Sequence, residues 1–320
     1  MSSINRRDLL SLAALTAAGL ALGPVARSFG ADDTKKKILF FTRSAGFPHP
    51  VVTRKNGEEL AFAERTFRDF AGKEYEVTIS KDGTLFTPEK LAAFDAVIFY
   101  TTGDETQTGP DKTPPMPAEG KEALLKFVED GKGFMGFHCA SDTFHSSNYG
   151  GKKEIAKQMV MHRDENEKFD DVRDPYIKMI GGEFITHQSQ QKATQKVVDP
   201  KFPGLEGLED FNFAEEWYSL GNFSDDLHVI LVQETNSMKV KGKTESAYQR
   251  APYPSTWAKP YGKGRVFYTN MGHREDVWTN PIFQKVALAG LAFITGRTNP
   301  DISPNIKAVT PDVVTFAAAK

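Results

Sequence analysis

Cysteine is almost absent from this 320-residue chain. Cys139 is its one thiol, so no internal disulfide can form. That thiol is therefore either a small buried hydrophobe or a reactive group. A charge excess of one sign is also missing: 40 Lys and Arg stand against 42 Asp and Glu, a formal net charge of −2. Without a dense basic stripe there is no electrostatic footprint of a nucleic-acid binder. There is no internal repeat, no low-complexity tract and no short His-x-x-x-His spacing of the kind that marks a metal-binding helix. Long apolar runs are lacking as well. The stretch Leu9 to Gly23 falls short of the roughly 20 apolar residues needed to span a bilayer, so no stable membrane span is expected once it is removed.

What is present begins with a leader. Asn5-Arg6-Arg7-Asp8 precedes that short apolar segment, and Pro24 and small residues follow it. A twin arginine ahead of a modest hydrophobic stretch reads as a twin-arginine export signal over residues 1–31, with the mature protein periplasmic or otherwise exported.

The whole chain, 39% hydrophobic and 26% charged, has the composition of a globular protein. Lys37 to Thr42 and Asp95 to Tyr100 are continuous apolar runs, the signature of strands buried on both faces, and Tyr75 to Ile79 alternates like another strand. Between them Asn56 to Phe70 carries helical spacing, and Thr87-Pro88-Glu89 starts a short helix with Thr87 as its cap. A helix over Ala118 to Asp130 feeds the buried run GFMGF at 133–137. This alternation predicts an α/β fold with a doubly wound, mostly parallel sheet of the flavodoxin type. The second half reads as β-rich additions, with strands over Gln195 to Val198, Leu227 to Gln233 and Gly264 to Thr269 and a closing helix over Pro281 to Ile294. One domain over residues 37–297 is expected, followed by a proline-containing tail at 298–320 that wraps the surface.

Ligands in such sheets bind outside the carboxyl ends of the strands. There the stretch Gly136-Phe137-His138-Cys139-Ala140 forms a strand-to-helix turn. A Cys–His–Glu triad using Cys139 with His273-Arg274-Glu275 is one reading, but His138, not the thiol, occupies the centre of the turn. The other reading is a polar site. His49, His138, His187 and His273 all follow strand-like or glycine-bounded segments, and neutral imidazoles with one carboxylate can hold zinc or a similar divalent ion. Without metal, the same groups serve as general acid and base. His145, His162 and His228 read as hydrogen-bonded structural residues, and Glu183 as a cap on local backbone.

Several stretches taken together resemble the ThuA-like (trehalose utilisation) family. They are Gly46-Phe47-Pro48-His49, Gly136 to Thr143, Gly181 to His187, Glu215-Glu216-Trp217-Tyr218, Trp257, Tyr261 to Tyr268 and Gly272-His273. The resemblance implies a fold similar to class I glutamine amidotransferases and a role in carbohydrate metabolism, with a small-molecule carbohydrate as partner. This chain has Glu215-Glu216 where the family often has Asp-Glu, and Cys139 where many members have a small residue. His138, His273 and Glu216 are then the candidate catalytic groups. His49, Asp142, Tyr218 and Trp217 are the candidate sugar contacts, and His138, His187 and His273 the candidate metal ligands. The expected function is chemistry on a sugar or oxidised (keto) sugar. The alternatives are a non-catalytic sugar-binding or scaffold protein and a Cys-dependent amidotransferase-like hydrolase.

Overall fold

The computed structural model describes residues 35–55, 57–146, 173–242 and 247–318. The expected leader at 1–31 and His162 lie outside the described residues.

The apolar runs of the first half become a parallel sheet. β1 (Lys37–Phe41) buries every residue after Lys37, and it pairs in parallel with β2 (Glu76–Ser80) on one side and β3 (Ala96–Phe99) on the other. β4 (Gly133–Phe137), buried throughout, lies parallel to β3. Strands buried on both faces need apolar residues at successive positions, and KILFF, AVIF and GFMGF supply them.

The second half adds β5 (Glu183–His187), β6 (Gln191–Val197), β7 (Phe211–Glu215), β8 (Tyr218–Gly221) and β9 (Phe223–Ser224). These are followed by β10 (His228–Gln233), β11 (Tyr253–Tyr261), β12 (Gly264–Thr269) and β13 (Thr315–Phe316). Among the described residues the main sheet has nine strands in the order β2-β1-β3-β4-β12-β11-β10-β6-β7. β12 is parallel to β4, which completes the parallel core. From β12 outward every pairing is antiparallel. Four reversals restore the starting direction, so β7 runs with the parallel core and delivers Glu215 to the same carboxyl edge. The α/β class, the parallel core and the β-rich C-terminal additions are thus as read from the sequence.

Helix ends follow local chemistry. Thr87 caps the helix Pro88–Leu91 through its hydroxyl, and Asn280 caps Pro281–Ile294 by accepting from the Ile282 N–H at 2.9 Å. The first long helix spans Phe62–Ala71, starting later than the periodicity predicted. The Glu64 carboxylate accepts from the Ala61 N–H at 2.8 Å, and this fixes the helix start.

Two features go beyond the sequence reading. β11 is not among the expected strands and carries Pro254 and Pro260, yet it lies between β10 and β12 with Pro254 opposite Val232 and Pro260 opposite Arg265. The tail does more than wrap the surface. It forms the helix Ile306–Val309, and β13 pairs in parallel with β9.

Candidate functional site

The carboxyl ends of β1, β3, β4 and β12 lie on one edge of the sheet, and the candidate side chains issue from the segments beyond them. After β1 the chain loops through Phe47 to His49. This loop is anchored to the β3 side, where the Thr102 carbonyl accepts from the N–H groups of Ala45 and Gly46 at 2.9 and 2.8 Å. After β4 it turns at His138 with φ +43°, a left-handed conformation uncommon outside glycine and characteristic of strained functional turns. The short 3-10 helix His138–Asp142 follows. After β12 the chain passes Asn270 and turns at Gly272, whose φ of +128° disfavours a side chain, into His273.

His138 is fully buried. Its Nδ1 donates to the Asn270 carbonyl at 3.1 Å, which directs Nε2 toward the cluster. Nε2 lies 3.6 Å from Glu216 Oε2 and 3.3 Å from His273 Nδ1. His273 Nδ1 is also 3.1 Å from the same Glu216 oxygen. His49 joins from the β1 side, its Nε2 3.2 Å from the Tyr218 hydroxyl, and the Tyr218 ring lies against His138 with centroids 3.9 Å apart. One donor atom from each of His49, His138, Glu216 and His273 falls within 4.8 Å of the others.

Burial sets the protonation states. It pushes the His49 imidazole down to about 2 and the His138 imidazole down to about 4, so both are neutral at neutral pH. Burial would raise the Glu216 carboxyl, but its contacts with His138 and His273 and their field outweigh it and hold the group well below the usual carboxylate range. Its neighbour Glu215 goes the other way. Buried, with Oε2 lacking a partner, it is pushed up to about 8, although Oε1 accepts from the His273 N–H at 2.6 Å. Adjacent carboxyls in opposite states are a pattern suited to proton chemistry.

His187 is half exposed and reaches the outer oxygen of Glu216, with Nδ1 3.2 Å from Oε1. It therefore stands beside the four-donor cluster, and the expected metal set of His138, His187 and His273 is not the one the geometry assembles. Asp142 lies at the end of the 3-10 turn, where burial pushes its carboxyl up to about 6. The His145 Nε2 is 3.7 Å from it. Trp217 is not placed to meet a sugar: it is 1% exposed and its indole N–H turns back to the Phe213 carbonyl. Trp257 and Trp278 are core residues too. Cys139 is fully buried, and burial pushes its thiol far above the usual value, so it offers no thiolate. Glu183 does far more than cap backbone. It accepts from the Ser146 N–H and hydroxyl at 2.7 and 2.6 Å and from Asn222 at 2.7 Å, and it pairs with His145 Nδ1 at 2.7 Å.

Sequence reasoning missed Phe47, Asn270 and Glu215. Phe47 is 63% exposed beside the His49 ring, with centroids 5.1 Å apart. An exposed aromatic inside a Gly-Phe-Pro-His loop was a visible signal, whereas the part of Asn270 that matters is a backbone carbonyl, which residue identity does not reveal. His273 also borders an open groove of about 460 Å³ shared with Pro50, Val51, Gln190, Arg274 and Glu275, within the size range of small-molecule sites.

Fold and site together define an α/β protein with a buried histidine–carboxylate cluster at the carboxyl edge of a parallel sheet. The chain belongs to the ThuA family, described as trehalose utilisation, whose model matches residues 37–294. Among solved structures it is similar to a ThuA-like protein from Bacteroides uniformis ATCC 8492, with TM-score 0.57 and 18% identity over 82% of this chain and 93% of that one. It is also similar to a ThuA-like protein from Parabacteroides merdae ATCC 43184, with TM-score 0.51 and 15% identity over 85% and 95% of the two chains. At these identities the likeness concerns the fold. Comparison with curated proteins gives no match. Among the described residues no helix is long and apolar enough to cross a membrane.

Proposed function

We propose that this is an exported carbohydrate-active enzyme that binds a sugar or keto sugar beside His273 and moves protons with the His138–His273–Glu216 group. The observation that carries the reading is the convergence of two imidazoles from distant parts of the chain, His138 and His273, on a single oxygen of Glu216 next to an open groove. Membership of a family associated with trehalose utilisation supplies the substrate class.

Neutral imidazoles accept a proton from a hydroxyl or an acidified C–H and return it to a leaving oxygen, and Glu216 stabilises the imidazolium formed in between. With Glu216 accepting from His273 Nδ1–H, the other nitrogen of His273 is left basic. Asp142 and His187 supply hydrogen-bonding groups for sugar hydroxyls. Phe47, in place of the buried Trp217, offers the aromatic face on which a sugar ring can stack.

The test is calorimetric titration with glucose, trehalose and their keto derivatives, followed by product analysis. Saturable binding with turnover supports the enzyme reading. Binding without turnover would make the protein a sugar-binding module, and no binding of any of them would remove carbohydrate as the substrate class.

A further inference from the structure

We propose that His138 Nε2, His273 Nδ1 and Glu216 Oε2, with His49 as a fourth donor, bind one divalent transition-metal ion of the zinc type. The proposal rests on the premise above that this cluster is the protein's working centre, and it reassigns His138 Nε2 and His273 Nδ1 from proton transfer to ligation.

Distances come first. The three closest donors are separated by 3.6, 3.1 and 3.3 Å. Four ligands at about 2.1 Å from zinc stand at the corners of a tetrahedron with edges of about 3.4 Å. The three donors already form one face of that figure, and His49 lies within the same 4.8 Å group. A face made of two imidazoles and one carboxylate suits zinc, iron or manganese better than calcium or magnesium, which favour all-oxygen sites.

Lone pairs give the second argument. The Asn270 carbonyl can only accept, so the proton on that side of His138 sits on Nδ1 and Nε2 presents its lone pair inward. The Glu216 carboxylate likewise brings only acceptors. A single proton on His273 Nδ1 must then be shared between two acceptors, whereas a cation at the centre of the face satisfies all three donors at once.

Outer contacts give the third. Metal-binding imidazoles characteristically donate their second N–H to a carbonyl or carboxylate, and ligating carboxylates are held in turn. Here Asn270 holds His138, His187 Nδ1 stands 3.2 Å from the free oxygen of Glu216, and Glu215 holds the His273 backbone at 2.6 Å. His138 and Glu216 are thus each held through their second atom, and His273 through its backbone, by neighbours that do not join the face.

The test uses the full mature chain, carrying no polyhistidine tag, stripped with a chelator and titrated with zinc against a chromophoric competitor. Metal content of the protein as isolated is measured in parallel by mass spectrometry. One zinc per chain is expected. His138→Asn, His273→Ala and Glu216→Gln should each weaken it by more than about 100-fold, the upper range for losing only an outer contact. Cys139→Ala should keep full stoichiometry, and His187→Ala should keep it with about tenfold weaker affinity. Far-UV circular dichroism identifies any variant that has failed to fold, and the others then decide.

Zinc affinity unchanged in the folded ligand variants overturns the proposal. So does sugar binding and turnover by stripped protein that takes up no zinc, an outcome that leaves the functional reading intact. Stoichiometric zinc lost in the ligand variants, with no sugar bound, upholds the metal site and removes the carbohydrate reading.

Discussion

His138 Nε2 and His273 Nδ1 lie 3.3 Å apart although 135 positions separate them in the chain. β4 and β12 are adjacent and parallel, with Phe137 opposite Thr269, so the residues just beyond each strand meet at one edge. The site depends on this pairing, and perturbations of it should separate chemistry from stability.

Replacing His138 should remove sugar binding and turnover while the fold persists. Asn is the better replacement than Ala because it tolerates the left-handed backbone at φ +43°. Cys139→Ala, one position along, should retain activity and cost on the order of 1 kcal/mol through lost packing of a buried thiol. Native protein should also resist iodoacetamide. Turnover assays with urea melts of both variants decide the matter, and loss of activity in Cys139→Ala would return the thiol to the mechanism.

Phe47→Ala should weaken sugar binding by about 1 kcal/mol, the scale of an aromatic contact, with little change in thermal stability. The ring is 63% exposed, so truncating it opens no core cavity. Equal affinity in calorimetry would place the sugar elsewhere.

His145 should make stability fall as pH rises. Burial lowers its pKa, but the hydrogen bond and field of Glu183 outweigh this, and the imidazole ends above its ordinary value. Both ring nitrogens face acceptors, Glu183 Oε1 at 2.7 Å and the Phe184 carbonyl at 3.0 Å, so the charged form is the one that fits. A raised folded-state pKa gives stability that is complete below about 6.5, the unfolded value, and is lost as pH rises through the folded value. His145→Gln should flatten that decline and cost on the order of 1–2 kcal/mol near pH 6. Urea midpoints of the two proteins from pH 5 to pH 9 provide the comparison.

Replacing Arg6 and Arg7 by Lys should leave unprocessed precursor in the cytoplasm, read by fractionation and immunoblot. The motive is the twin arginine ahead of a short apolar segment. Normal processing of that variant would exclude twin-arginine export.

The sequence by itself determined the parallel core, because strands buried on both faces must be apolar at consecutive positions, and KILFF, AVIF and GFMGF are. It also marked out His49, His138, His187 and His273 as residues after strand-like or glycine-bounded segments, and Glu216 through the family resemblance. Tertiary structure alone decided which of them converge. Glu216 reaches the histidines only because four antiparallel steps turn β7 back into the direction of the core, and strand order of that kind leaves no periodic trace in a chain. The burial of Trp217 was equally invisible, since an aromatic residue has the same composition in a core as on a cleft wall. The carbonyl of Asn270, which fixes the tautomer of His138, belongs to the backbone that every residue shares, so only the fold could assign it that part.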